Sequence, residues 1–187
     1  MPEQYASFNV ETWVESAMRY FTNRNFRVIG DSGKVYGYGR SVWAMIDTET
    51  RQPQDILAIR DGAINDWITA DVECPIDKGS RVKMAHDLPV VRTIDTYYND
   101  VDVNGHINSV KYIEHVLDLF SIEWYKQYDL RRLEIAYVAE SHGGDRLTFR
   151  IQDGTDELEK SISISKLTEN GSNSVEVSRC MVKYVKK

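Results

Sequence analysis

The amino-acid sequence predicts an α+β fold in which a long helix is wrapped by antiparallel sheet. Three observations carry that expectation. Val110, Ile113, Val116, Leu117 and Phe120 recur at spacings of three and four residues, the period of one buried helix face. Around this stretch lie strand-like segments with alternating side chains, separated by Gly and Asn turns. The chain also repeats itself: Gly39-Arg40-Ser41-Val42-Trp43 aligns with Ser178-Arg179-Cys180-Met181-Val182, each preceded by a strand and a glycine turn.

In chain order, Ser7 to Ala17 and Asn25 to Ile29 read as strands, Asp31-Ser32-Gly33 as a turn, and Lys34 to Asp47 as a long strand. Thr48 to Gln54 is a polar loop around Pro53. Gly62 and Asn65-Asp66 interrupt Ile56 to Val72, leaving a short helix or an irregular cover. The Pro, Gly, Ser and Lys content of 75–89 marks a linker between a first unit, 1–74, and a second, 90–187. The second unit opens with a strand over Val90 to Tyr98. A helix runs from about Asn108 to Tyr128, capped by Asn108 or Ser109. Strands follow at Arg132 to Glu140, Arg146 to Gln152, Glu157 to Lys166 and Val175 to Val185, with Asn170-Gly171 turning between the last two. Under the repeat alignment the first unit lacks the opening strand and central helix that the second owns, a deficit of roughly fifty residues. Its sheet should then expose apolar side chains, with Trp13, Phe21, Phe26, Tyr38 and Trp43 as candidate lining. A single α+β domain with irregular β additions is the alternative.

Composition narrows the function. The chain has 187 residues, 42% hydrophobic and 28% charged, as globular proteins do. Its net charge of -6 argues against nucleic acid as the main partner. No stretch is long and apolar enough to span a membrane, and the polar start Met1-Pro2-Glu3-Gln4 is no signal peptide, so a cytoplasmic location is expected. Cys74 and Cys180 lack metal-ligand spacing and read as free thiols.

The segment with most chemistry is Asp102-Val103-Asn104-Gly105-His106-Ile107-Asn108-Ser109-Val110-Lys111-Tyr112. It gathers an acid, amides and an imidazole just where the helix begins, an arrangement suited to a ligand's carbonyl group. Taken singly, each residue has a plainer role. Asp102 and Asn104-Gly105 make turns, His106 can be a solvated or capping side chain, and Glu140 a strand-end carboxylate. His86, His115 and His142 lack such company, although His142 lies beside Glu140.

A strand, a long helix and a sheet that wraps it form the hotdog arrangement, and two such units form a double hotdog. The run from Asp102 through Glu114 resembles the signature of the acyl-acyl carrier protein thioesterases, which are double-hotdog enzymes. Ile135-Ala136-Tyr137-Val138-Ala139-Glu140-Ser141 is similar to that family's other catalytic segment. Gly39 to Asp47 resembles a late strand of its first hotdog. The resemblance implies hydrolysis of fatty acyl-acyl carrier protein, with Asp102, Asn104, His106 and Glu140 as catalytic groups. Asn108, Ser141 and Trp43 would be substrate contacts. It implies no metal and no cofactor, since a thiolate leaves readily. The implied partner is an acidic acyl carrier protein. Its docking face would be basic, either Lys78, Arg81, Lys83 and Arg92, or Lys126, Arg131 and Arg132. A homodimer is compatible with this reading. Some family members carry a cysteine where this chain has Ser141, so water assisted by Glu140 is expected to attack here, without an acyl-enzyme. An acyl-coenzyme A thioesterase, and an inactive fragment or acyl-binding module, are the alternatives.

Overall fold

The computed structural model describes residues 2–69, 71–79, 82–85, 87–167 and 174–187. Arg81, His86 and the Asn170-Gly171 turn lie outside them. The chain divides into two compact units, Met1–Gly79 and Ser80–Lys187.

The first unit is an antiparallel sheet of β1 (Phe8–Ala17), β2 (Phe21–Gly30) and β3 (Val35–Ala44), in that order. β2 starts earlier than its sequence pattern suggests, because Phe21 to Arg24 find ladder partners in Ala44 to Ser41. Register decides what each face carries. Trp13 lies opposite Asn25, and Asn25 opposite Arg40, whereas Phe26 lies opposite Gly39 and Thr22 opposite Trp43. Side chains alternate along a strand, so Trp13, Phe21 and Tyr38 share one face with Asn25 and Arg40, and Phe26 and Trp43 share the other with Phe8 and Val10. The five candidate lining residues are therefore split across the sheet. On the first face the Glu15 carboxylate accepts from Asn25 Nδ2 (2.8 Å) and Arg40 Nη1 (2.6 Å), and Trp13 Nε1 donates to the Val72 carbonyl at 3.0 Å. The other face leaves Val10 60% and Trp43 56% exposed. Ile56–Trp67 is a 3-10 segment broken at Ile59 to Gly62, where Arg60, Asp61 and Gly62 all take positive φ. No α-helix occurs among the unit's described residues.

The second unit is a hotdog. Its sheet runs β4 (Arg92–Asp95), β6 (Arg146–Asp153), β7 (Glu159–Leu167), β8 (Ser174–Lys186), β5 (Tyr128–Tyr137), all antiparallel. Leu147, Phe149, Ile162, Ile164, Val177, Cys180, Val182 and Tyr184 form its buried face, against Tyr112 and Val116 of helix α1 (Ser109–Leu117). Each such side chain contributes about 1.5–3 kcal/mol by leaving water.

The helical stretch is not continuous to Tyr128. It breaks at Asp118 to Ser121, and α2 (Ile122–Gln127) follows, capped by Ser121 Oγ accepting from Trp124 N at 3.2 Å. The break is built into the chemistry. Arg92 Nη1 donates to the Asp118 carbonyl (2.6 Å) and Tyr125 OH to that of Leu117 (2.8 Å), satisfying carbonyls that a helix end orphans. Across this break Phe120 and Trp124 pack edge-on to Tyr184, with ring centroids 5.1 and 5.4 Å away. Val110 is 55% exposed, so the buried stripe is narrower than its spacing suggests. The two arginines aligned by the repeat act alike: Arg40 donates to the Cys74 carbonyl and Arg179 to that of Val82.

Candidate functional site

The polar segment ahead of α1 is a small hairpin. Asp102 N donates to the His106 carbonyl and Asn108 N to the Asp100 carbonyl, both at 2.8 Å, and Gly105 makes the turn at φ +82°. The returning arm pairs with the chain beyond β5: Ile107 N donates to the Ser141 carbonyl at 2.8 Å, and His106 and His142 form an antiparallel bridge. β5 ends at Tyr137, so Glu140 stands on this extension rather than in the strand. Three short arms thus bring residues from two distant segments side by side.

Their meeting point is a cavity of about 210 Å³, lined by Asp102, His106, Ile107, Ser109, Tyr112, Tyr137, Ala139, Glu140 and Ser141. His106 Nε2 lies 3.3 Å from Glu140 Oε2. Asp102 works on the backbone. Its Oδ1 accepts from Asn104 N (2.8 Å) and His106 N (3.2 Å), and these bonds, that from Asn104 foremost, hold its carboxyl below the usual aspartate range. It is therefore ionised at neutral pH and fixes the main chain from which His106 projects.

Of the other sequence candidates, Asn104 is an exposed turn residue, and Asn108 caps α1 by accepting from Val110 N at 2.9 Å. Ser141 is buried, and its hydroxyl hydrogen-bonds that of Tyr112. Trp43 belongs to the first unit, where its Nε1 donates to Ser41 Oγ at 2.7 Å. Tyr112 and Tyr137 were not singled out by sequence. Tyr137 OH donates to the Ser109 carbonyl at 3.0 Å, and burial pushes both phenols up in pKa. The available signal was their position, one inside the polar segment's first helical turn and one three residues before Glu140.

A larger cavity of about 510 Å³ lies on the other face of the same sheet, with Arg150, Ser163 and Arg179 in its lining. It has no acid–imidazole pair among the described residues, so the smaller cavity is the candidate site. Three members of the two basic clusters pair with acidic neighbours in the same unit. Lys78 lies 3.5 Å from Glu15, Lys126 2.9 Å from Glu123 and Arg132 2.6 Å from Glu134. Among the described residues no helix is long and apolar enough to cross a membrane.

Comparison with known proteins agrees with this architecture. A family model described as the acyl-ACP thioesterase C-terminal domain matches residues 83–183, more than half of the chain, and one described as the N-terminal domain matches residues 1–59. A chloroplastic palmitoyl-acyl carrier protein thioesterase of Gossypium hirsutum is 27% identical over 135 residues, covering 70% of this chain and 33% of the relative. The chain spans about a third of the length of the curated relatives it matches. Among solved structures, an acyl-ACP thioesterase from Bacteroides thetaiotaomicron superposes with a TM-score of 0.86 at 47% identity, covering 99% of this chain and 71% of that one. A 12:0-ACP thioesterase from Umbellularia californica, at 18% identity and a TM-score of 0.74, covers 95% of this chain and 67% of its own, a likeness of fold.

Proposed function

This chain belongs to the acyl-acyl carrier protein thioesterase family, and from that premise we propose that it hydrolyses fatty acyl-acyl carrier protein to free fatty acid and carrier protein. The observation that carries the reading is the pairing of Glu140 and His106 at 3.3 Å on the wall of a cavity beside the start of α1. In the proposed reaction Glu140 takes a proton from water as the oxygen attacks the thioester carbonyl carbon. The carbonyl oxygen becomes an oxyanion, and His106 Nε2–H, beside Glu140 Oε2, shifts its hydrogen bond to that oxygen as Glu140 takes up the water's proton. When the tetrahedral intermediate collapses, the C–S bond breaks and Glu140 returns the proton to the departing sulfur. Asp102 positions His106 through its main-chain N–H. Ser141 is buried against Tyr112, which supports attack by water rather than by a side-chain nucleophile. A cytoplasmic location is part of the same proposal, supported by two free cysteines in place of a disulfide.

The test is an assay of the full chain against one acyl group carried by acyl carrier protein and by coenzyme A. We expect kcat/KM at least about tenfold higher on the carrier protein, because charge-complementary docking adds binding energy. Equal or better use of the coenzyme A thioester would assign the site to that donor instead. No hydrolysis of either would sink the enzyme reading.

A further inference from the structure

Beside the His106–Glu140 pair stands a second imidazole to which the proposed reaction gives no role. His142 bridges His106 through the backbone, and its ring packs edge-on against the His106 ring, with centroids 5.0 Å apart and planes at 74°. The turn that carries it is fastened independently of that ring. Asp145 Oδ2 accepts from His142 N at 2.9 Å. Thr96 Oγ1 lies 3.1 Å from the His142 carbonyl and 2.8 Å from that of Asp145, and accepts from Gly144 N at 3.0 Å. Lys166 Nζ donates to the Glu140 carbonyl at 2.9 Å and reaches Asp145 Oδ2 at 3.4 Å. The main chain from Glu140 to Asp145 is thus held by Thr96, Asp145 and Lys166, and the exposed His142 ring is spare as far as the fold is concerned.

We propose that His142 is a positioning residue whose ring braces the His106 imidazole, holding Nε2 toward Glu140. The inference rests on the reading of this cavity as the hydrolytic centre. Asp102 fixes only the His106 main chain, and a histidine so fixed can still turn about its side-chain torsions. A planar ring packed against it removes that freedom, and an edge-to-face pair at this separation is an attractive geometry. Keeping a catalytic group within a fraction of an ångström of its productive position is worth one to two decades in rate. Charged and titratable groups near the two rings include Asp102 and Glu140 at His106, Tyr112 and Tyr137 in the same cavity, Asp145 of the His142 turn, and Lys166 of β7 reaching that turn.

The test compares the full-length parent with His142→Ala and His142→Phe. With acyl-acyl carrier protein as substrate, His142→Ala should lose about tenfold in kcat with KM within about twofold of the parent. His142→Phe, which keeps an edge-on ring and drops the nitrogens, should recover kcat to within about twofold of the parent. Histidine-labelled NMR reads the brace without turnover: the His106 ring should give one sharp set of resonances in the parent and His142→Phe, and broadened ones in His142→Ala. That NMR pattern in a parent that hydrolyses no thioester would sink the hydrolytic reading and leave the brace standing. An active parent whose His142→Ala variant matches it in kcat and in the His106 resonances would overturn the brace. So would a loss in His142→Ala that phenylalanine does not restore.

Discussion

The two units set similar sheets to different uses. In the second, one sheet face closes over α1, and Leu147, Phe149, Ile162, Ile164, Val177, Cys180 and Val182 are all fully buried. In the first, the described buried apolar residues are Trp13, Val14 and Ile56, while Phe8, Val10, Val42 and Trp43 are each more than half exposed. Strand propensity alone does not make a core. A sheet face is stabilised only when something apolar lies across it, and in the second unit α1 does so. The same helix supplies the ordered end against which the Asp102–Asn108 hairpin is built. Packing and candidate chemistry therefore share one element, and the first unit has no counterpart to it among its described residues.

Substitutions can break or sharpen that contrast. Phe149→Ala removes the ring from the closed face and should cost about 3–5 kcal/mol, read as a lower urea midpoint. A loss under about 1 kcal/mol would mean that this face is not the core. Ser141→Ala leaves the buried Tyr112 hydroxyl without its partner, so stability should fall by about 1–3 kcal/mol while most hydrolysis survives. Complete loss of activity in a folded Ser141→Ala would give Ser141 a role in the chemistry. A pH series isolates Asp102. Its folded pKa is depressed below the ordinary 3.8, so its contribution to the loop is fully present above that value and lost as pH falls through the lower folded one. The parent should accordingly melt higher than Asp102→Asn at pH 7, and the gap should close on acidification. A gap that stays constant down to pH 2 would contradict the carboxylate's role. On the open face of the first unit, Val10→Thr should change stability by no more than about 0.5 kcal/mol. A loss matching that of Phe149→Ala would show Val10 to be covered.

The hotdog of the second unit was legible because its signals are local. A helix period, alternating strands and glycine turns each declare themselves within a dozen residues. The break at Asp118 was not legible, because it depends on Arg92 and Tyr125 reaching helix-end carbonyls and on Tyr184 waiting across the sheet. Nor was the division of Trp13, Phe21 and Tyr38 from Phe26 and Trp43. One residue of register moves a side chain to the other face, and register is set by partners, not by the strand itself. At the candidate site, the sequence pointed to Asp102, Asn104, His106 and Glu140; the fold gathers Asp102, His106 and Glu140 around one cavity and leaves Asn104 exposed in the turn. Of the expected substrate contacts, Asn108 caps α1, Ser141 lines the cavity with its hydroxyl on that of Tyr112, and Trp43 lies in the first unit. A motif names residues but does not say which way each one faces. The Thr96–Asp145 fastening comes from tertiary pairing that no short motif encodes.

The central claim is that His106 and Glu140 act as one catalytic unit across their 3.3 Å contact. A double-mutant cycle on the full chain tests it most directly: kcat for acyl-acyl carrier protein hydrolysis in the parent, His106→Ala, Glu140→Ala and the double variant, with circular dichroism confirming the fold of each. Each single substitution should lower kcat by about 10³-fold, and the double should be no more than about threefold slower than the worse single. Losses that multiply, so that the double falls by about 10⁶-fold, would mean that the two residues act independently and would contradict the account.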